Sequence, residues 1–549
     1  MKNFYYLFLL FASNILYAQP SCSWAYMPVG AAQTYNDIYY AAHDASGNII
    51  ELGKTLGRAD MNPAPADTVL TPNGSYNFYL SKTSNSGNLL WIKYFGYNGI
   101  TSFFEFKGLK VAANDDIVVV GNYFGLIDFD LSAAGMDTLR SHEPTYPDFF
   151  IARYSTNGDY QWAKSLGDAG TPDIKAMAMT IMPNNNIVVA VNPSGSGAVD
   201  IDPSAAVHGT IGSTANLVCY NPQGQYVWNA RVATPYAAAV PNNTVACDNW
   251  TNTYVMSVGY YKLTVSKFTI TGANIWENTI GDFPAGARVN PQSILVEKAT
   301  GNFYVAGTFG GTVDFDPTAA VVNRTNSSPS YQDGFIAKYD TDMNLLWVNA
   351  YAGKIEFGTH GLEFDNGDLV AVGNFAGSVD VGNGAVLTTA SNLSPFYIKM
   401  NTAGVVQSNF TLNGSGRFLT VHKNTPNTTL ITGYLGSTTD MDPSAANLTL
   451  NTTVNKAFTA VYQTQTVIAT ENPKNTGNIT VFPNPAHESF NVNVSDNLID
   501  ADYNLYNSVG MLVLNGKINE KQTVIRLKSQ TAGVYFLKIG NAVFRIIVV

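Results

Sequence analysis

The chain carries a repeat whose last copy is incomplete, and the missing piece stands at the other end of the sequence. The clearest copy runs from Ser293 to Gly353. It holds Ser-Ile-Leu-Val-Glu-Lys (293–298), Gly301 to Phe309, the turn Val313-Asp-Phe-Asp-Pro317, Asp333-Gly-Phe-Ile-Ala-Lys-Tyr339 and Leu345-Leu-Trp-Val-Asn-Ala350. Four alternating runs separated by turn residues predict one four-stranded antiparallel sheet. The same order leads to Trp162 and Trp228, and to Ser408 where Trp is replaced; a unit ending at Trp91 and a shortened one ending at Trp276 fill the series. Gly87, Gly158, Gly224, Gly272 and Gly404 stand four residues before the repeat position, where a tight hairpin needs a positive φ. The last copy ends at Tyr462 without its Trp strand, and Ser23-Trp24-Ala-Tyr-Met-Pro-Val-Gly30 matches Trp91-Ile-Lys-Tyr-Phe-Gly96. A linear array has no reason to divide one repeat between its termini, whereas a ring is fastened by doing so. Spacings from 48 residues (Trp228 to Trp276) to 71 (Trp91 to Trp162) are small for tandem β-sandwich domains. The expected fold is therefore all-β: a seven-bladed β-propeller over residues 19–463, closed by the N-terminal strand, with outer strands at Trp24, Trp91, Trp162, Trp228, Trp276, Trp347 and Ser408.

Composition agrees with a globular β protein. Only 13% of residues are charged, 46% are hydrophobic, and Gly (47), Tyr (31) and Phe (29) are plentiful, which excludes a disordered chain. A net charge of −10 excludes a nucleic-acid binder. Lys2, the apolar run Phe4 to Leu16 and Tyr17-Ala18-Gln19 read as a signal peptide over residues 1–18, cleaved after Ala18. No later stretch is apolar and long enough for a transmembrane helix. Cys22, Cys219 and Cys247 allow one disulfide at most, with Cys219 and Cys247 the candidate pair. The histidines, His43, His142, His208, His360, His422 and His487, are scattered singly and read as isolated satisfied or solvated side chains.

After Tyr462 the texture changes. Residues 464–477 read as a linker, and residues 478–549 hold about seven short strands, which suggests a small β-sandwich. Phe482-Pro483-Asn484-Pro485, Tyr506 to Gly510 and Gly533-Val-Tyr535 make this module similar to the type A C-terminal sorting domain of the type IX secretion system. Asn507 stands near where that family usually has Asp, and the chain ends Arg-Ile-Ile-Val-Val rather than in a lysine-rich tail. The resemblance implies the secretion and sorting machinery as partner, passage through the outer membrane, removal of the domain, and attachment to surface lipopolysaccharide or release. An immunoglobulin-like adhesive module is the alternative. The Asp-Phe-Asp-Pro turns with Phe-Ile-Ala-Lys-Tyr and Leu-Leu-Trp resemble bacterial β-propeller repeats of large secreted proteins, which implies the fold and says little about activity.

The strongest candidates for site chemistry are the paired carboxylates Asp128/Asp130, Asp200/Asp202, Asp314/Asp316 and Asp440/Asp442, with Asp380 alone in its unit. Such pairs could serve Ca²⁺, which takes six to eight hard oxygens. Aspartates before proline also cap turns by accepting their own backbone N–H groups, and duplication of the unit explains the repetition. Ala152, Gly158 and Trp162 have the spacing of a tryptophan docking motif in quinoprotein propellers, but Tyr154 and Tyr339 occupy its Asp position, so Trp residues wedging neighbouring sheets are the simpler account. Arginines are too dispersed for a sialidase-like site, and no GxSxG, HExxH or P-loop occurs. Asp67-Thr-Val69 and Asp137-Thr-Leu139 fit a short bacterial O-glycosylation pattern. The expected function is a secreted, cell-surface, non-enzymatic binding or adhesion scaffold for a surface glycan or protein ligand. The alternative is a glycan-active hydrolase or lyase acting at the propeller mouth.

Overall fold

The computed structural model describes residues 16–17, 20–30, 35–56, 59–62, 69–70, 77–97, 103–132, 135–142, 146–167, 174–193, 198–204, 210–212, 214–232, 240–241, 244–259, 262–280, 287–382, 384–391, 393–425, 428–444, 447–463, 466–467, 479–507, 512–527, 533–540 and 542–548. Nearly all of the expected signal peptide and linker, with Asp67, Thr68, His208 and Ser508 to Gly510, lie outside them. The chain forms two compact units, Cys22–Gln463 and Thr464–Val549 with Met1–Ser21. Among the described residues it is all-β apart from one turn of 3₁₀ helix at Asp496–Leu498. Among the described residues no helix is long and apolar enough to cross a membrane.

The larger unit repeats a four-stranded antiparallel sheet. Sheet A is Tyr35–His43, Ile49–Leu56, Asn77–Thr83 and Leu89–Tyr94; sheet B is Phe103–Val111, Ile117–Phe124, Asp148–Tyr154 and Tyr160–Leu166. Sheet C is Ile174–Ile181, Ile187–Pro193, Asn216–Tyr220 and Tyr226–Arg231; sheet D is Val245–Cys247, Thr253–Gly259, Lys262–Phe268 and Asn274–Ile280. Sheet E is Arg288–Val296, Phe303–Gly310, Asp333–Tyr339 and Leu345–Tyr351, and sheet F is Lys354–Asp365, Asp368–Ala376, Ser394–Met400 and Val406–Thr411. Sheet G is Gly416–Thr425, Thr428–Leu435 and Lys456–Gln463, with the N-terminal strand Ser21–Tyr26 as its fourth member. One parallel bridge between His360 and Thr420 joins the first strands of F and G.

The second strands are unbroken β-branched runs because both their faces are covered. Ile117, Val118, Val119 and Val120 are all buried, the odd-numbered pair facing sheet A and the even-numbered pair facing sheet C. Equivalent cores join C to D, D to E, E to F and F to G. A smaller cluster of Ala41, Ile49, Leu430 and Val461, with Trp24 against it, joins G back to A. Tyr434 Oη donates to Asp37 Oδ1 (2.8 Å) and Thr459 Oγ1 to Glu51 Oε1 across the same junction.

A second contact, at the sheet rims, recurs with this packing. The indole N–H of a fourth-strand Trp donates to a carbonyl in the third-to-fourth hairpin of the next sheet: Trp162 to Pro222 (3.2 Å), Trp228 to Ile270 (2.7 Å), Trp276 to Thr341 (3.1 Å), Trp347 to Thr402 (3.0 Å) and Trp24 to Asn85 (2.9 Å). The hairpin glycine has two reasons to be glycine. Gly224 has φ +75°, and a Cβ built there would lie 2.8 Å from the Trp162 ring. In sheet E this place is taken by Met343, buried at φ +67°.

Sequence reasoning missed a matching row of cations on the third strands. Lys82, Arg153, Lys267, Lys338 and Lys399 each precede a bulge in their strand pairing. Lys82 pairs with Asp44 (2.8 Å), Arg153 with Asp116 (3.0 Å), Lys338 with Glu297 (2.8 Å) and Lys399 with Asp365 (2.6 Å). Arg153, Lys267 and Lys338 also donate to the carbonyls of Pro222, Thr341 and Thr402, the oxygens that the indoles use. A carbonyl has two lone pairs, so one oxygen serves both donors.

Two sequence expectations are revised. The Asp-x-Asp segments, expected as plain turns, enter small extra sheets: two-stranded ribbons such as Thr312–Asp314 with Asn323–Thr325 and Thr439–Asp440 with Thr449–Leu450, and for Leu126–Asp128 a three-stranded one with Gly96–Tyr97 and Thr138–Arg140. Cys219 and Cys247 are not joined; all three cysteines are free and buried, Cys247 held through Ile181 O (3.1 Å) and Lys298 Nζ (3.2 Å). In the smaller unit, Thr480–Phe482, Ser489–Asn493 and Gln522–Arg526 form one sheet, and Asp502–Asn507, Leu512–Lys517, Gly533–Ile539 and Ala542–Val548 form another. Phe490, Val492 and Ile525 of the first share one core with Leu505, Leu537 and Ile546 of the second.

Gly224→Ala should destabilise the protein by about 2–3 kcal/mol, combining backbone strain with overpacking against the indole. Gly377 has the same φ of +75° with nothing within 4 Å of an added Cβ, so Gly377→Ala should cost only about 1 kcal/mol. Equal losses in denaturant unfolding would remove the indole contact from the account. The junction of G and A supplies a second test. Burial pushes the Glu51 carboxyl up to about 7, while its bond from Thr459 acts in the opposite direction. Its folded value lies above the unfolded one, so stability falls as pH rises between the two and levels off above the folded value. Glu51→Gln should therefore gain about 3 kcal/mol on the wild type at pH 8 relative to pH 4. Parallel pH profiles of unfolding for the two proteins would contradict this.

Candidate functional site

The paired aspartates all sit in the ribbons that follow the second strands. Asp314 Oδ1 accepts the backbone N–H of Asp316 (3.1 Å) and Val322 (2.8 Å), and Asp440 Oδ1 those of Asp442 (3.1 Å) and Leu448 (2.9 Å). Asp128 Oδ1 does the same for Asp130 and Asp137 (both 3.0 Å), and Asp200 Oδ1 accepts Asp202 N–H (2.9 Å). The second aspartates cap the next step: Asp130 accepts from Ser132, Asp202 from Ser204, Asp316 from Thr318 and Asp442 from Ser444. Asp380 accepts Gly382 N–H (2.8 Å).

The residue between the aspartates is tied to the sheet. Tyr154, Tyr220 and Tyr339, the last residues of their third strands, donate their hydroxyls to the carbonyls of Phe129 (3.0 Å), Ile201 (2.8 Å) and Phe315 (2.9 Å). Tyr154 and Tyr339 stand where a quinoprotein motif would carry Asp, and here all three tyrosines anchor the ribbon. Among the described residues, no group of three or more His, Cys, Asp or Glu side chains is arranged to hold a metal.

A different grouping appears where the first strands converge. A cavity of about 180 Å³ is bordered by residues from the first strands of sheets B to G, among them Lys110, Thr180, Cys247, His360, Glu363 and His422. A bulge follows Phe106, Ala176, Pro291, Phe357 and Phe418 in these strands, which strengthens their twist and re-aims the residues beyond it. His360 and His422, read from sequence as isolated satisfied or solvated side chains, lie with ring centroids 6.2 Å apart. Buried Nδ1 of His360 and Nε2 of His422 have no hydrogen-bond partner. Burial, reinforced by Lys110, holds His360 down at about 3; His422 also lies well below the ordinary imidazole value, through burial first and then His360, Lys110 and His43. Burial raises the Glu363 carboxyl and lowers the Lys110 ammonium. Lys298, by contrast, is fixed by the carbonyl of Cys247 (2.7 Å). The available signal was positional: Lys110, Thr180 and His422 each stand four residues after the residue at which their strand is bulged.

In the smaller unit the opening motif is bound to the final strand. The Asn484 amide donates to Arg545 O (2.6 Å) and its oxygen accepts Ile547 N–H (2.8 Å), while Ala486 N–H donates to Ile547 O (2.7 Å). Phe482 is exposed, as part of a strand edge that leads into Pro483 and Pro485. Gly533 pairs with Val548, and Tyr535, buried, pairs with Ile546.

Residues 480–547 match the family described as the secretion system C-terminal sorting domain. This domain marks proteins secreted through the type IX system to the cell surface or extracellular space, and the chain carries it. No curated protein matches the chain. Solved structures that resemble it include a protein of unknown function from Dyadobacter fermentans (8% identity, 81% of this chain and 99% of that one, TM-score 0.37). PorZ, a surface component of the type IX secretion system of Porphyromonas gingivalis, aligns at 10% identity over 94% of this chain and 82% of its own, with TM-score 0.34. Prolyl oligopeptidase B from Galerina marginata aligns at 9% over 85% and 56%, with TM-score 0.38. Scores of this size carry no inference about activity.

Asp314→Ala should destabilise the protein by about 1–2 kcal/mol, because it strips two backbone N–H groups of their acceptor, whereas Asp314→Asn keeps an accepting oxygen and should cost less than about 1 kcal/mol. Urea unfolding of both variants reads the difference, and a cost-free Ala variant would deny the aspartate its capping role.

Proposed function

We propose that residues 19–463 form a seven-bladed β-propeller, closed by the N-terminal strand, and that the exported protein works at the cell surface as a non-enzymatic binding or adhesion scaffold. The cyclic order of packing carries the architecture: each sheet shares a core with the next, and sheet G, which includes the N-terminal strand, shares one with sheet A. In this reading residues 1–18 direct the first export step, and residues 478–549 fold as a small sandwich that is read by the type IX machinery.

The cavity between the first strands supports binding over turnover. Hydrolysis of a glycosidic bond ordinarily uses two carboxyl groups, one as acid and one as base or nucleophile. Glu363 is the one carboxylate among the described residues that line this cavity. The histidines beside it are held far below the neutral range, which leaves them poor bases. The aspartate pairs belong to the scaffold as turn caps; calcium, if it binds, would have to use the oxygens that the caps leave over.

The purified protein should retain ligands on a surface-glycan and surface-protein array without changing them. Release of reducing ends or unsaturated products from the retained glycans would replace this reading with that of a hydrolase or lyase. Its unfolding midpoint should be the same in excess EDTA and in millimolar calcium. Several occupied sites at 100 times the dissociation constant would each add about 2.7 kcal/mol, so an upward shift of many degrees would make the aspartates metal ligands.

A further inference from the structure

We propose that the cavity ringed by the first strands is an anion site, in which the Lys110 ammonium, flanked by His360 and His422, receives the carboxylate or phosphate group of a small ligand. The assignment names the ligand class of the binding scaffold and rests on that reading.

Lys110, half-buried, departs from the pattern set by the buried cations. Lys82, Arg153, Lys338 and Lys399 each have a carboxylate within ion-pair distance, and Lys298 has a backbone carbonyl at 2.7 Å. Lys110 has neither, and it borders a space of about 180 Å³. Lys110 is half-buried at the cavity wall, and a partly desolvated ammonium without a carboxylate at ion-pair distance favours an anionic ligand. Glu363 senses Lys110 but forms no ion pair with it; one of its oxygens accepts the backbone N–H of Phe364 (2.8 Å).

The remaining polar groups suit an anion as well. His360 Nδ1 and His422 Nε2 are buried without partners, so each ring can offer an N–H to an oxygen without breaking an existing bond at that atom. Lys298, across the cavity, adds a second positive charge against the single carboxylate of Glu363. His43 is close enough to act on both Glu363 and His422, and its Nδ1 is engaged with the Asp44 carbonyl (3.0 Å). The cavity thus has a positive balance inside a chain whose net charge is −10, so its sign is local and not a by-product of a basic protein. Its volume exceeds by an order of magnitude the roughly 10–15 Å³ that one water requires, which leaves room for a small oxyanion.

The test is titration of the purified full-length protein with inorganic phosphate and, separately, with sodium glucuronate, by calorimetry at low ionic strength and by thermal unfolding. Each anion that binds should raise the midpoint. Lys110→Met should weaken binding by about tenfold or more, the expected loss of one charge-assisted hydrogen bond, while Lys110→Arg should stay within a few-fold of the wild type. Without anion, Lys110→Met should unfold at the same or a higher temperature, because it removes an unpaired charge; a purely structural lysine would give the reverse. Binding of phosphate alone or glucuronate alone upholds the site and identifies which oxyanion it takes. Absence of binding by both anions, or equal binding by wild type and Lys110→Met, overturns it. Array binding by a wild type that takes up neither anion would leave the scaffold reading intact while removing this site; anion binding by a protein that retains nothing on the arrays would do the opposite.

Discussion

At three junctions of the larger unit a hairpin carbonyl is held by two donors from the neighbouring sheet, and this contact sets how those sheets meet. At Pro222, Thr341 and Thr402 the indole N–H of a fourth-strand Trp and the cation of a third-strand Lys or Arg converge on one oxygen. Apolar packing between sheets is non-directional and would tolerate sliding. A bond from each strand of a hairpin to one point on the next hairpin fixes both the distance and the register between sheets. Behind Arg153 and Lys338 a carboxylate, Asp116 and Glu297, orients the cation, so in those two sheets the first-to-second turn is coupled through a single side chain to the third-to-fourth turn of the next sheet.

This contact also accounts for an exception. Ser408 occupies the place where the other units have Trp, and the change looks like drift when the repeats are aligned. Sheet G, however, draws its fourth strand from Ser21–Tyr26 and therefore has no third-to-fourth hairpin. A Trp at 408 would have no carbonyl to meet and no glycine to lie on. On the other side, Trp24 finds Asn85 and Gly87 in sheet A, which has an intact hairpin. The substitution is thus a consequence of where the chain was divided.

What could be read from the sequence followed physical locality. Trp, Gly and Asp-x-Asp mark turns and adjacent strands, where the structural reason lies within a few residues, and all four strands of a unit could be placed from them. The ribbons around Asp128, Asp314 and Asp440 were missed because their partner strands, such as Thr138–Arg140 and Asn323–Thr325, are two or three residues long and lack an apolar pattern. The third-strand cations were hidden in apolar runs such as Phe-Ile-Ala-Lys-Tyr, in which a lysine reads as an interruption. The cavity was illegible for a different reason. Lys110, His360 and His422 are 250 and 62 residues apart in the chain, and only the convergence of separate sheets brings them to one space.

The N-terminal strand has a consequence for the order of events in the life of the chain. Ser21–Tyr26 is the first part of the larger unit to be made, yet its partner Lys456–Gln463 is among the last. The contact of Thr459 with Glu51, between sheets G and A, joins residues 408 apart, so it cannot form during early synthesis or early translocation. Until then the third strand of sheet G and the hairpin of sheet A each present an unfinished edge, of the kind that invites pairing with another chain. Export that keeps the chain from pairing prematurely, followed by assembly once both ends have arrived, turns the division of one repeat into a check on completeness. A chain cut short before Lys456–Gln463 lacks the partner of its N-terminal strand, and that strand is left unpaired.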